Sequence, residues 1–389
     1  MLFAQRANWE LTENRISQIR KDLDKKGKEV LDLTISNPSR CDFIYSKEKI
    51  CKALSREENM AYTPSALGLF SAREAVSHYY AKKNVFVDPS NIILTASTSE
   101  AYAFLFRLLA DAGEGVIFPR PSYPLFDFLV GLNDLKMQTY SLVYEKDKWA
   151  IDFKSLEANI ASNTKALVVV HPNNPTGSFL NPKEIQTLND ICSQRNIPII
   201  CDEVFEDYAF EEEATFPSLI GNKKNLTFVL GGLSKTLGLP QMKVSWIILN
   251  GPEDLVRAAR MRLEVITDTY LSVNTPAQNA LSDWFDEREP IQKEIKKRIR
   301  NNRRFMKEAA YKQTGCECLN ADGGWYSVLR IPEKFREETF IIELLVQKQI
   351  FVHPGYFFDF SDEPYIVLSL LIQENIFREG ISRILQSIH

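Results

Sequence analysis

An α/β architecture built on a mostly parallel sheet is what this sequence predicts, and three observations carry it. Between about Asn91 and Gly251, short apolar runs alternate with stretches of helical character. That is the pattern of strand–helix–strand units that assemble into a parallel sheet with helices on both faces. The chain has 389 residues, long for one compact domain, so two domains are expected. Three polar marks, Asn174, Asp202 and Lys235, each come just after an apolar run. In such sheets ligands collect at the carboxyl ends of the strands.

Taken in order, Ile92–Thr95 reads as a strand, and Ser99–Ala112 as the helix that follows it. Val116–Phe118 is the next strand and leads into Pro119-Arg120-Pro121. Strands over Ala166–Val170, Pro198–Cys201 and Thr227–Leu230 deliver the three marks, and Val244–Leu249 comes after the lysine. Beyond Gly251 the alternation stops. Pro252–Arg260 and Pro290–Tyr311 read as helices. The second carries Lys293, Lys296, Lys297, Arg298, Arg300, Arg303 and Arg304, a run that usually makes a solvated face. Strands are expected at Gly324–Ile331 and Tyr365–Leu370, with a helix from Asn375 onward. No internal repeat or low-complexity segment is visible.

Composition narrows the function. Apolar residues make up 44% and charged residues 25%, ordinary for a soluble globular protein. A net charge of -4 implies no general attraction to nucleic acid or anionic membrane. Met1–Glu29 is interleaved with charge and does not read as a signal peptide, and runs such as Ile366–Ile372 are too short to span a bilayer. Six scattered cysteines and four histidines form no ligand motif, so a reduced cytoplasmic protein without metal is expected.

The marks themselves are specific in combination. They stand in His171-Pro172-Asn173-Asn174-Pro175-Thr176-Gly177, in Cys201-Asp202-Glu203-Val204 and in Gly231-Gly232-Leu233-Ser234-Lys235-Thr236. A lysine amine, a carboxylate and a neutral donor are what pyridoxal 5′-phosphate requires: one condenses with its aldehyde, one faces its pyridine nitrogen, one meets its ring oxygen. The order and spacing resemble those of the class I/II aminotransferases, within the fold-type I pyridoxal phosphate enzymes, from the Asn37-Pro38 region to Ser369.

That resemblance implies a fold-type I architecture: a large domain with a seven-stranded type of sheet between helices, over residues 46–285, and a smaller α+β domain formed by 1–45 and 286–389. It implies that Lys235 and Asp202 are catalytic and that Asn174 meets the ring oxygen. Backbone and hydroxyl groups at Ser97 and Thr98 suit the phosphate, with a plain capping role around Ser97–Glu100 as the alternative. Ser234 and Lys243 are further phosphate candidates; Lys243 stands where the family commonly has arginine. Tyr123 matches the aromatic that stacks on the ring. Tyr62 matches the tyrosine that reaches a neighbouring subunit's phosphate, which implies a homodimer with shared sites.

Two departures follow from the same comparison. Phe205 stands where the family usually has a tyrosine whose hydroxyl reaches the ring oxygen, leaving Tyr208 as the nearest substitute. Val367, in Tyr365-Ile366-Val367-Leu368-Ser369, stands where an arginine usually grips the substrate carboxylate. Arg40, in the loop with Asn37, is the first candidate replacement and Arg330 the second. Trp325 and Tyr326 are expected to wall the site. The implied function is transfer of an amino group between an amino acid and a 2-oxo acid by a ping-pong mechanism. A lyase or decarboxylase on the same fold, and a non-catalytic module that binds the cofactor, are the competing readings.

Overall fold

A computed structural model describes residues 2–212, 216–361 and 364–388. The large sheet contains Ile92–Thr95 (β1), Gly115–Arg120 (β2), Lys136–Glu145 (β3), Lys148–Ile151 (β4), Thr164–Val170 (β5), Ile199–Asp202 (β6), Thr227–Gly232 (β7) and Ser245–Asn250 (β8). Their spatial order is β1-β8-β7-β6-β5-β2-β3-β4. From β7 across to β3 every pairing is parallel, and only β8 with its two neighbours and β4 with β3 run antiparallel. β5, β6 and β7 are almost wholly buried, as expected of strands covered on both faces. One apolar layer, with Val169, Cys201, Val229 and Trp246, packs on one side of the sheet. A second, with Phe104, Val168, Ile200 and Phe228, packs on the other.

β3 and β4 extend the expected seven-stranded sheet to eight. They form a hairpin in which Glu145 pairs with Lys148. The two loop residues, Lys146 and Asp147, both have positive φ, as a type I′ turn requires. Neither is the Asn or Gly that usually announces such a turn. The helix expected to end at Arg260 runs on through Glu253–Asp268, and Thr275–Asp286 adds another.

A second sheet follows: Glu317–Cys318 (β9), Tyr326–Arg330 (β10), His353–Pro354 (β11) and Tyr365–Ser369 (β12), antiparallel in the order β9-β10-β12-β11. The long helix Arg288–Tyr311 carries the basic run, yet buries Ile291, Gln292, Ile295, Ile299, Asn302 and Met306 along one stripe. That stripe joins the apolar layer behind the second sheet, together with Ile16, Leu33 and Phe377.

Candidate active site

Register sets the geometry. Val170 pairs with Asp202, and Asp202 with Leu230, across β5, β6 and β7. Asn174, Asp202 and Lys235 therefore emerge side by side from the carboxyl ends of three adjacent strands. The backbone ties the exits together: His171 N–H donates to Asp202 O at 2.8 Å, and Glu203 N–H to Leu230 O at 3.0 Å.

Lys235 lies in a one-turn helix, Leu233–Thr236, immediately after β7. Its ammonium lies 5.2 Å from the Phe205 ring centre and 4.9 Å from that of Trp325. Burial lowers its pKa to about 8, opposed by the Asp202 charge. An amine in that range is readily deprotonated near neutral pH. Asp202 is buried. Desolvation raises its pKa to about 6, while the Val204 N–H, the Tyr102 hydroxyl and Lys235 pull it down. The Val204 N–H lies 3.2 Å from one oxygen and the Tyr102 hydroxyl 3.1 Å from the other. Tyr102 went unrecognised in the sequence; its only signal is its place one turn into the helix Thr98–Leu109, facing the sheet.

Asn174 is buried, and its side-chain oxygen is among the few buried polar atoms with no partner among the described residues. An unpartnered buried amide is costly unless something binds it. Its loop is locked by glycine. Gly177 has φ +69°, and a Cβ there would come within 2.4 Å of Gly323 O. Gly177 O accepts the N–H groups of Asp322 and Gly323, and Gly324 N–H donates to Tyr208 O at 2.9 Å.

Tyr123 is half-exposed beside this cluster. Burial raises its hydroxyl pKa, followed by the charge of Asp202. Its loop is pinned by Ser122 N–H donating to Phe358 O and by Asn173 donating to Pro121 O. Ser97 caps the helix Thr98–Leu109 by accepting Glu100 N–H at 3.2 Å, while the Glu100 carboxylate accepts Ala96 N–H rather than Ser97 N–H. A full capping box is therefore not formed, and the N–H groups of Thr98 and Ser99 point from an open helix end. Ser234 is partly buried at the start of the lysine helix, and Lys243 is exposed in a left-handed conformation with φ 53°.

Tyr62 is exposed, and no contact of it with Lys235 is found among the described residues. Asn37 caps a short turn by accepting the Ser39 N–H and hydroxyl. Arg40 follows it, exposed and without an ion pair among the described residues. Its loop lies against the site: a Cβ on Gly238 would meet Pro38 at 3.2 Å, and Ser36 bonds Tyr326. Arg330 is placed differently from its expected substrate role. It lies at the far end of β10, ion-paired with Glu317 across the β9–β10 ladder. Five residues at about 3.3 Å each separate it from Trp325, which touches Lys235.

Trp325 is fully buried, edge-on to Phe205 and Tyr208 and beside the Lys235 amine. Val367 is also fully buried, packed with Leu319, Val328 and Phe358. Tyr208 does reach inward, but its hydroxyl donates to the backbone oxygen of Lys235 at 2.7 Å.

Similarity to known proteins bears on the family and the fold. The glutamate-pyruvate aminotransferase of Haemophilus influenzae is 26% identical over 93% of this chain and 91% of its own length. Mouse tyrosine aminotransferase is 25% identical, covering 92% and 80%. The alanine aminotransferase structure from Pyrococcus furiosus superposes with a TM-score of 0.89 at 26% identity, covering 99% and 98%. These similarities favour a transaminase and not the lyase, decarboxylase or non-catalytic readings. The family profile described as aminotransferase class I and II matches residues 28–375; the chain belongs to that family.

Proposed function

We propose that the protein uses pyridoxal 5′-phosphate to move an amino group from an amino acid to a 2-oxo acid, in two half-reactions at one site, as a cytoplasmic homodimer. The carrying observation is the convergence of a partly buried low-pKa lysine, a buried carboxylate and an unpartnered buried amide on three neighbouring strand ends. These residues fit the cofactor: Lys235 offers an amine, Asp202 a carboxylate, and Asn174 an amide nitrogen that donates, the amide oxygen being the atom left unpartnered. When bound, it supplies an aldehyde and a ring that takes up electrons from the substrate's α-carbon.

Each residue then has a task. Asp202 stays ionised against the ring nitrogen, helped by Tyr102. Asn174 donates to the ring oxygen, a duty it bears largely alone because Phe205 has no hydroxyl. Tyr123 covers one face. Ser97, Thr98, Ser234 and Lys243 hold the phosphate, with Tyr62 of a second copy reaching the same group. With the cofactor and substrate bound, the Lys235 amine would take the substrate's α-proton and hold it for return. Arg40 meets the carboxylate from the 36–45 loop, because Val367 offers only methyl groups. Residues 46–285 form the large unit, with 1–45 and 286–389 the small one. The relatives quoted above are named for alanine, glutamate, pyruvate and tyrosine, which supports amino-acid and 2-oxo-acid substrates.

Lys235→Ala tests the assignment. It should abolish turnover and the visible absorbance of the bound cofactor. Borohydride should no longer fix cofactor to the protein; fixation that persists would refute the role of Lys235.

A further inference from the structure

We propose that Tyr208 and Gln292 are positioning residues, a two-point clamp on the backbone carbonyls of Lys235 and Thr236 that holds the lysine turn against the Asp202 turn. This rests on the reading of Lys235 as the cofactor lysine.

The need for a clamp comes from the length of the helix. Leu233–Thr236 is one turn long, so its last carbonyls have no continuing helix to bond them. Gly238 N–H reaches Lys235 O only at 3.2 Å. The strong partners come from elsewhere. The Tyr208 hydroxyl donates to Lys235 O at 2.7 Å. The Gln292 amide nitrogen donates to Thr236 O and to an Asp207 oxygen, both at 2.8 Å. Both of its partners are acceptors, which fixes the orientation of the amide.

Both donors are themselves rigid. Tyr208 is fully buried and Gln292 nearly so. Asp207 is held by Lys83 at 2.7 Å and by the Tyr79 hydroxyl at 2.7 Å, and Lys83 also pairs with Glu206 at 2.6 Å. Tyr208, Asp207 and Glu206 all belong to the turn that begins at Asp202. The clamp therefore couples the two turns that carry the amine and the carboxylate. Reactive groups lose rate steeply when they are misplaced by fractions of an ångström.

Tyr208→Phe and Gln292→Met each keep buried volume and remove a donor. Full-length protein is freed of cofactor and remixed with pyridoxal 5′-phosphate. Borohydride quenching and mass spectrometry of the Lys235 peptide then read the rate of covalent capture. Each variant should capture about tenfold more slowly, the effect of one net hydrogen bond. In the loaded protein kcat should fall by a similar factor with KM within about twofold. Tyr140→Phe is the control: its hydroxyl also donates to a backbone carbonyl, Val168 O at 3.0 Å, but away from the lysine turn. It should lose comparable thermal stability and capture at the parent rate. Parent-like capture in both clamp variants, or equal slowing in Tyr140→Phe, overturns the proposal. If Gln292→Met fails to fold, Tyr208→Phe decides alone. Capture on a different lysine in the parent protein would sink the underlying reading of Lys235, and is distinguishable from failure of the clamp.

Discussion

Tyr102→Phe isolates one of the groups that favour the charged form of Asp202, second to the Val204 N–H. Phenylalanine keeps the packing against Phe106 and Phe126 and removes only the hydroxyl that donates to Asp202 at 3.1 Å. A hydrogen bond to a charged acceptor contributes about 1.5–3 kcal/mol. This one is long for an O–H donor, so about 1.5 kcal/mol is appropriate, close to one pKa unit. Asp202 should rise from about 6 to about 7 in the cofactor-free protein. The sign matters. A carboxylate raised by folding contributes stability that is fully present below its unfolded value and is lost as pH rises through the folded one. That loss should therefore come about one unit higher in the variant. Cofactor binding demands the ionised form in both proteins. The ratio of cofactor Kd, variant over parent, should approach one above about pH 8 and climb toward about tenfold below about pH 6. Fluorescence titration across that range reads it directly. A flat ratio, or the same profile from Tyr140→Phe, would refute the coupling of Tyr102 to Asp202.

The substrate residues make opposite predictions. Arg40→Ala should lower kcat/KM for amino acids by about thirtyfold, or about 2 kcal/mol, while cofactor affinity is unchanged. Arg330→Ala should leave kcat/KM within about twofold, because its ion pair with Glu317 is worth only about 0–1 kcal/mol of stability; equal losses would reject the distinction. Mixing inactive Lys235→Ala with a Tyr62→Ala variant tests the shared site. Hybrid dimers should regain activity at sites that combine an intact lysine with an intact partner tyrosine, whereas no regain after subunit exchange would place Tyr62 outside the site.

What the sequence revealed of the site depended on residue type. Asn-Pro-Thr-Gly, Asp-Glu and Ser-Lys are unusual strings, and each follows a strand buried on both faces whose apolar run is unmistakable. Register did the rest. β3 and β4 were illegible because they are half-exposed, at the sheet edge, and joined through Lys146-Asp147, whose positive φ has no compositional marker. Tyr102 and Gln292 act from helices, where an aromatic or an amide on the inner face looks like ordinary core until the neighbouring strand is in place. The basic run of Arg288–Tyr311 hid an apolar stripe that lies every three or four residues beneath the charges. Arg330 had the right charge, but strand geometry carried it away and Glu317 engaged it.

The contact between Gly177 and Gly323 has a consequence for how this protein can change. The loops bearing Asn174, Tyr208 and Trp325 meet there largely through main chain, with Gly177 O accepting the N–H groups of Asp322 and Gly323 and Tyr208 O accepting that of Gly324. Changes at Trp325, Tyr326 or Phe205 would alter the walls beside Lys235 without touching these main-chain bonds. The two glycines leave no such room. A methyl group on Gly177 would lie 2.4 Å from Gly323 O, and one on Gly323 would lie 2.6 Å from Tyr208 O. Variation in this site is thereby divided into positions that retune it and positions that take it apart.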